Sequence, residues 1–321
     1  MGGLEYTRGL HELDRGAYAY LSPPGTWGWS NCGLVVSQGQ ALLVDTQFDL
    51  PLTRGLLATI SRELPEIEIK TVVTTHANGD HCWGNQLLED AEFIGSASSA
   101  HGMTDEIQPE VLAALSGPDA PDTPVGSYMR RHFGAFDFAG IQVTPPSRTF
   151  CGRLDVSVGD RQVELIEVGP AHTDGDVIVH VPDAATVYAG DILFIGGHPI
   201  MWTGPVDNWI AACDRIIATD ARFVVPGHGP VTDVAGVARF RGYLEWVACR
   251  AEKTYASGLP YWEAGDPSAV PDAYAAWDHP ERLVITMAAA HRALGGASHD
   301  LMEVLARTAD AEPYRAVGHD R

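Results

Sequence analysis

The chain has 321 residues, 45% of them hydrophobic, which is enough to bury a full core. Its 21 basic and 42 acidic side chains give a net charge of −21, and a field of that sign repels phosphate backbones, so we expect no nucleic-acid partner. No stretch approaches the roughly 20 apolar residues of a membrane helix, so we also expect no membrane span.

The cysteines and the first residues of the chain indicate a reducing compartment. The five cysteines form an odd set without a CxxC pair, as in a cytoplasm where thiols stay reduced. Residues 1–6 lack a basic region followed by an apolar stretch, so no secretory signal is visible. We therefore expect a cytoplasmic protein.

The first elements of the chain predict sheet strands around one helix. Residues 29–36 and 41–45 form two apolar runs separated by a short polar turn, which predicts two strands. Apolar residues at helical spacing predict a helix at 50–64, and a β-branched run predicts a buried strand at 69–73. Asp45, at the end of the second strand, is expected to be a buried acceptor for loop amides.

The stretch after the strand at 69–73 is the most informative in the chain. It places His76, Asn78, Asp80 and His81 within six positions. An Asn-Gly turn in the middle of this stretch directs the side chains toward one point above the sheet edge. Imidazole and carboxylate are preferred zinc ligands, and a bound divalent ion lowers the pKa of its water from about 15.7 to about 7. We therefore predict a metal site that supplies a nucleophile.

The chain beyond this motif is expected to shape the substrate pocket. Residues 82–88 predict a helix whose N-terminus faces the site, and Trp83 lies either in the core or in the pocket wall. Residues 96–150 depart from the sheet pattern and predict an insertion with helices at 106–115 and 125–136. Insertions between strands are where such a protein varies its specificity.

Later strand ends supply three more ligand-type side chains. His172 follows a predicted strand at 162–168, Asp191 follows a short strand at 186–189, and His228 lies in a Pro-Gly-His-Gly turn after a third strand. Mixed α/β sheets build their sites outside the ends of their strands. We therefore expect these residues to meet the first motif.

Residues 193–202 are apolar and glycine-rich, and they follow a predicted ligand. They are therefore expected to border the pocket. His198 and Trp202 are the candidate substrate contacts in this segment.

The order of the elements predicts an α/β protein with two sheets covered by helices, a four-layer αββα sandwich, although other mixed layers would also fit. We place the main domain at 1–235. Helices predicted at 237–255 and 280–294 form a C-terminal helical extension at 236–321 that packs on the main domain, and the tail at 308–321 is expected to be loose.

The order and spacing of these motifs resemble the metallo-β-lactamase-fold hydrolases. The resemblance rests on a motif close to HxHxDH, a later histidine, an acid after a strand and a histidine in a Pro-Gly-His-Gly turn, and it extends over 28–228. It implies one metal on His76 and His172, a second metal on Asp80, His81 and His228, and Asp191 between the two.

Asn78 stands where the family has a second histidine. An amide oxygen is a weaker zinc ligand than imidazole, so we expect one tight zinc and a second, weaker site. The stretch THANGDHCWGN, with this asparagine, is also similar to the metallo-β-lactamase-type cyclases and thioesterases of bacterial aromatic polyketide pathways.

The functional hypothesis is a zinc-dependent hydrolase or cyclase that acts on an activated carbonyl of an acyl or aromatic polyketide thioester, which could be bound to a carrier protein. Asp80 or Asp191 would transfer the proton. A glyoxalase-II-like hydrolase or a lactonase is the nearest alternative. A non-catalytic, metal-retaining binding module is the alternative from another class, and an oligomer is compatible with the sequence.

Overall fold

Two β-sheets packed face to face form the centre of the molecule. The computed structural model describes residues 4–312. One sheet has seven strands in the order β1 to β7, and the other has five in the order β12-β11-β10-β9-β8. The strands are β1 Gly9–Asp14, β2 Ala17–Leu21, β3 Cys32–Ser37, β4 Gln40–Val44, β5 Glu68–Val73, β6 Glu92–Ser96, β7 Arg148–Phe150, β8 Arg153–Val158, β9 Arg161–Glu167, β10 Val177–Val181, β11 Thr186–Phe194 and β12 Phe223–His228.

Helices cover the outer face of each sheet. They are α1 Leu50–Glu63, α2 Gly79–Cys82, α3 Ala97–Asp105, α4 Pro109–Ser116, α5 Pro124–Phe133, α6 Val206–Ile217, α7 Val234–Ala256, α8 Tyr261–Ala264, α9 Leu283–Ala293 and α10 Leu301–Ala311. Across residues 4–312, no helix is both long and apolar enough to cross a membrane.

Alternating side chains of the strands create the layers. In β4, Leu42 and Val44 pack between the two sheets, whereas Leu43 packs with Leu56 and Ile60 of α1. This alternation follows from the pleat of a strand, which turns successive side chains to opposite faces. Helices α6 and α7 cover the other sheet, so the predicted αββα sandwich is confirmed.

The C-terminal helices extend the layer on the second sheet and reach the insertion. Helix α7 packs along α6, α9 lies against α7 and α8, and α10 contacts both α5 and α9. The hydroxyl of Tyr128 in α5 donates to a carboxylate oxygen of Glu281, just before α9, at 3.3 Å. The insertion at 96–150 and the C-terminal extension therefore pack directly against each other.

Several local predictions differ from the structure. In place of one helix at 82–88 there is the single turn α2 followed by a 3-10 turn, Asn85–Leu87. The cause is Asn85, which is buried and whose side chain binds Thr46 and Thr74 instead of pointing to solvent.

The tail prediction is wrong for its first residues. Helix α10 continues to Ala311, with Asp300 as its N-cap. Residues 313–321 lie outside the described part of the chain.

Candidate metal centre

Four strand ends bring the predicted ligands to one point. His76, Asp80 and His81 follow β5, His172 follows β9, Asp191 lies in β11, and His228 ends β12. The side chains form two groups in which the ligand atoms lie within 4.8 Å of one another: His76, His172 and Asp191 in the first group, and Asp80, His81 and His228 in the second.

The second group has the dimensions of a tetrahedral site. Asp191 Oδ1 lies 3.1 Å from His81 Nε2 and 3.5 Å from His228 Nε2. Asp80 Oδ2 lies 3.3 Å from His228 Nε2 and 3.9 Å from His81 Nε2. Ligands that surround a zinc ion at 2.0–2.1 Å lie about 3.3 Å from one another. The three donor atoms of this group, together with Asp191 Oδ1, therefore fit one ion.

The first group offers three such donors and one amide. Asp191 Oδ2 lies 3.4 Å from His172 Nε2 and 3.8 Å from His76 Nε2. Asn78 Oδ1 lies 2.7 Å from His172 Nε2. The asparagine thus occupies the fourth corner, where the family pattern has a histidine.

Hydrogen bonds on the side away from the centre orient the four histidine rings. Each Nδ1 has an acceptor outside the cluster: Thr75 Oγ1 for His76 at 3.0 Å, Asp45 Oδ2 for His81 at 2.9 Å, the Ile200 carbonyl for His172 at 2.6 Å and the Trp29 carbonyl for His228 at 3.2 Å. A ring that donates from Nδ1 presents its Nε2 lone pair to the centre. This arrangement is the one that metal-ligating histidines adopt.

Several atoms that converge on the centre have no hydrogen-bond partner among the described residues. They are His76 Nε2, His81 Nε2 and Asp191 Oδ1. A buried acceptor without a donor is costly, and a cation removes that cost for all of them at once. The donor set therefore fits a divalent metal ion that prefers nitrogen and carboxylate ligands, such as zinc.

The charges of the cluster shift its protonation equilibria. Burial acts to raise the pKa of Asp191, but His228 and His81 outweigh burial and hold that pKa well below its ordinary value. Burial acts to lower the pKa of His228, but Asp191 outweighs it, and the pKa rises to about 9. Without a metal, protons on the histidines balance the carboxylates, and a divalent cation would release those protons.

Asp45 fixes the orientation of the first motif. It is buried and accepts from the backbone N–H of Thr75 at 2.7 Å, from the Thr75 hydroxyl at 2.8 Å and from His81. The prediction that it accepts from a loop amide is confirmed. Asp45 also contacts the predicted ligand His81, which was the less favoured alternative for an acid at the end of a buried strand close to a ligand motif.

A cavity opens onto the centre, with about 100 Å³ that water-sized molecules can occupy. Asp80, His172, Asp191 and His228 lie at its base. Its walls are largely apolar and include Trp27, Phe48, Trp83, Met129, Phe133 and Trp202. Apolar walls of this kind suit an apolar ligand.

Two of the three candidate substrate contacts line the cavity, and the third does not. Trp83 and Trp202 line the cavity. His198 is instead fully buried behind it, where Nδ1 is 2.9 Å from the Tyr243 hydroxyl and the ring packs against Trp277. The prediction that His198 contacts substrate is therefore corrected, because its ring is engaged with the C-terminal helices.

Other residues of the cavity were not predicted. Glu106 lines it, and burial raises the pKa of this carboxyl to about 7. Arg282 and Leu305 reach it from the C-terminal helices. No local motif marks these positions, since they come to the cavity only through long-range packing.

The chain is similar in sequence to a family of known proteins. The sequence model of the metallo-beta-lactamase superfamily matches residues 25–228. The chain is 25% identical over 194 residues to the 2,4-dinitroanisole O-demethylase subunit alpha of Nocardioides sp. (strain JS1661), which covers 58% of this chain and 48% of that protein. It is 24% identical over 213 residues to the linear primary-alkylsulfatase of Pseudomonas sp. (strain ATCC 19151), with coverage of 59% and 39%.

A solved structure shares the fold over a longer part of the chain. A double mutant of the sec-alkyl sulfatase PisA1 superposes with a TM-score of 0.70 at 14% identity, over 90% of this chain and 51% of that one. The chain thus spans about half or less of the length of these relatives. The superfamily match includes every residue of the metal centre, and the chain belongs to the metallo-β-lactamase superfamily, as the order of its motifs predicted.

Proposed function

We propose that the chain is a zinc-dependent hydrolase or cyclase that acts on the activated carbonyl of a flat, largely apolar acyl substrate, with an acyl or aromatic polyketide thioester as the first choice. One observation carries this proposal: the metal-ligand cluster forms the base of a cavity with aromatic walls. The substrate would be a small molecule, free or attached to a carrier protein.

The aromatic walls of the cavity favour a flat, apolar substrate. Phe48 and Trp83 stack with ring centroids 5.0 Å apart, and Trp27 packs on Phe133 with centroids 5.3 Å apart. Aromatic faces bind flat rings through large contact areas.

A divalent ion in this cluster would acidify a water molecule and draw charge from the carbonyl oxygen. The side chains have separate tasks around it. The Asp80 side chain is 14% exposed toward the cavity, whereas Asp191 is 5% exposed and lies between the two groups. The charges of His81 and His228 outweigh the burial of Asp80 and lower its pKa, so its carboxylate is ionised and able to accept a proton. We assign proton transfer to Asp80 and positioning to Asp191.

The same residues serve hydrolysis and ring closure. In hydrolysis, Asp80 takes a proton from the water whose oxygen bonds to the thioester carbon, and it returns that proton to the sulfur as the C–S bond breaks and the thiol leaves. In cyclisation, Asp80 takes a proton from the carbon between two carbonyl groups, and that carbon attacks a carbonyl of the same substrate. The likeness of the THANGDHCWGN stretch to polyketide cyclases favours the second outcome.

The two metal positions should differ in affinity. Asp191 offers one carboxylate oxygen to each group. With it, the second group has four charged or imidazole donors, whereas the first has three and the amide of Asn78. We therefore propose one tight and one weaker zinc. The five cysteines are all free thiols, which agrees with a cytoplasmic location.

A second candidate function is cleavage of a sulfate ester or an aryl ether. It is favoured by two relatives of the chain, an alkylsulfatase and a 2,4-dinitroanisole O-demethylase subunit. The apolar cavity suits such substrates as well. A glyoxalase-II-like hydrolase or a lactonase requires a more polar substrate, which these walls suit less. A metal-retaining binding module would bind the same ligands without turnover.

The deciding experiment is a substrate panel on the zinc-loaded protein. It contains an aromatic acyl thioester, a linear β-polyketone thioester, a lactone, hydroxyacylglutathione, an alkyl sulfate and an aryl methyl ether, with Asp80→Asn as the inactive control. We expect thioester cleavage or ring closure to exceed all other rates at least tenfold. Faster turnover of the sulfate or the ether would replace the first choice by the second. Tight binding without any turnover would support the binding module.

A further inference from the structure

Arg282 is a buried cation at the cavity that the metal chemistry does not use. It ends the 3-10 turn Pro280–Arg282 that precedes α9, and it is only 1% exposed. It lines the same cavity as Asp80 and His228. It lies outside residues 25–228, the segment that matches the superfamily.

The guanidinium is poorly satisfied by the residues around it. It donates one hydrogen bond, from an Nη to the His198 carbonyl at 3.3 Å, and it lies 4.5 Å from the centre of the Trp27 ring. Its Nε has no partner within the described part of the chain. The neighbouring Glu281 is engaged elsewhere, since its carboxylate accepts from Tyr128 and contacts His279, both at 3.3 Å.

Such an arrangement is costly without a ligand. A guanidinium has five N–H donors, and the carboxylates that act on its charge, Glu281, Asp191 and Asp80, accept no hydrogen bond from it in the described part of the chain, so most of its buried donors remain unsatisfied. A metal ion cannot relieve it, because arginine has only donors to offer. The missing partner is therefore an oxygen acceptor inside the cavity, and a carboxylate matches the planar fork of donors best.

The charge of the whole molecule strengthens this argument. A chain with net charge −21 repels anions from its surface. At the cavity, Arg282 offsets this long-range repulsion, so that an anionic group of a ligand can bind there.

We propose that Arg282 binds a carboxylate of the substrate, so that the substrate of this site is an aromatic or polyketide acid that carries its activated carbonyl at the metal centre and its carboxylate at Arg282. The apolar body of the substrate lies between them, against Trp27. This proposal rests on the function proposed above for the choice of reaction, but the binding of the acid does not depend on turnover.

The test compares an acid with its neutral ester. Binding of 2-naphthoate and of methyl 2-naphthoate is measured by calorimetry on the metal-free protein, so that a carboxylate–zinc bond cannot contribute. We expect the wild type to bind the acid at least tenfold more tightly than the ester. Arg282→Gln should abolish that preference, and Arg282→Lys should restore part of it.

Arg239→Gln is the matched control. Arg239 also lies over a tryptophan ring, with 6.0 Å to the centre of Trp277, but it is exposed and far from the cavity lining. It should leave the acid preference as in the wild type.

Equal binding of acid and ester by the wild type overturns the proposal, and this comparison holds even if Arg282→Gln does not fold. An acid preference that survives in a folded Arg282→Gln overturns it as well, since ordered water would then satisfy the guanidinium. If thioesters are turned over, KM for a carboxylated thioester should rise at least tenfold more in Arg282→Gln than KM for its methyl ester. An acid preference without thioester turnover would reject the reaction and retain the role of Arg282.

Discussion

The base and the walls of the cavity are built in different ways. The base comes from the ends of β5, β9, β11 and β12, and its side chains are held by acceptors such as Asp45 and the carbonyl oxygens of Trp29 and Ile200. The walls come from loop residues such as Trp27 and Trp202 together with α4, α5 and the C-terminal segment, which meet through side-chain contacts such as Tyr128 with Glu281.

This difference separates chemistry from specificity. Strand ends cannot move without breaking ladder hydrogen bonds, so the base is rigid and suited to hold an ion. The walls depend on packing between segments more than 100 positions apart, which can change without disturbing the sheets. Substitutions at the base should therefore change metal content and turnover, and substitutions in the walls should change substrate preference.

The largest effect is expected at Asp191, the residue shared by both metal groups. Asp191→Asn removes the charge that faces His76, His81, His172 and His228. We expect turnover to fall by roughly 10³-fold and the bound zinc to fall toward zero. Elemental analysis and turnover on the same sample measure both. Full zinc content in the variant would contradict the role of Asp191 as the shared ligand.

Asp176 tests how far the base depends on buried charge. It accepts from the Thr173 N–H at 2.9 Å and from the Thr173 hydroxyl at 2.8 Å, next to His172. Burial raises the pKa of Asp176 to about 7, because these hydrogen bonds offset only part of its cost. As pH rises from about 4 to about 7, the unfolded state loses this proton first, so the free energy of unfolding falls.

Asp176→Asn should remove this fall in the free energy of unfolding with rising pH. Relative to the wild type, the free energy of unfolding of the variant should improve by up to about 4 kcal/mol between pH 4 and pH 8. Urea unfolding of both proteins in chelator, across this pH range, measures the difference. A difference that does not change with pH would show that Asp176 is already ionised at pH 4.

Asp45 should affect zinc affinity although it is not itself a metal ligand. Asp45→Asn weakens the acceptor of His81 Nδ1, so zinc affinity should fall about 10- to 100-fold. Asp49→Asn is a matched control, since Asp49 is also a buried acid but caps α1 through the Leu52 N–H. Competition with a chromogenic chelator measures both variants. Equal zinc loss in both would assign the effect to stability.

The base could be predicted from sequence because each ligand lies at a strand end, in a short pattern. Asp191 shows the limit of that method. The strand at 186–189 is longer in the structure, and β11 continues to Phe194 through an irregular pairing with β12. Gly190 has φ 51°, and a Cβ there would lie 2.7 Å from Thr75 Oγ1. A glycine at this position lets Asp191 approach the first motif, which sequence spacing alone does not reveal.

The walls were only partly predictable, for physical reasons. Helix α3 was missed because it is mostly small and polar, and it buries only Ser99 and Met103. The hairpin of β1 and β2 was missed because β1 is polar and only half-buried. Arg282 and Leu305 reach the cavity across the fold. Such contacts depend on how helices pack, and no short pattern encodes them.

Asn78→His tests whether the side chain of Asn78 alone causes the difference in zinc affinity between the two metal groups. An imidazole at this corner should tighten the weaker zinc site by about tenfold, because nitrogen is the better zinc donor. Calorimetric titration of the metal-free protein with zinc should then show two sites of similar affinity. An unchanged weak site would mean that the backbone at this turn, and not the amide, limits binding.

The smallest effect is expected in the wall, at Trp202. This side chain is half-buried and lines the cavity, so Trp202→Leu should not endanger the fold. It removes one aromatic face, and KM for a flat aromatic thioester should rise about three- to tenfold, in line with the roughly 0.5–1.5 kcal/mol of an aromatic pair. Zinc affinity and kcat should stay at wild-type values, and KM for a linear aliphatic thioester should change less. If zinc affinity fell together with KM, the walls would also hold the base in place, and the division between chemistry and specificity would fail at this residue.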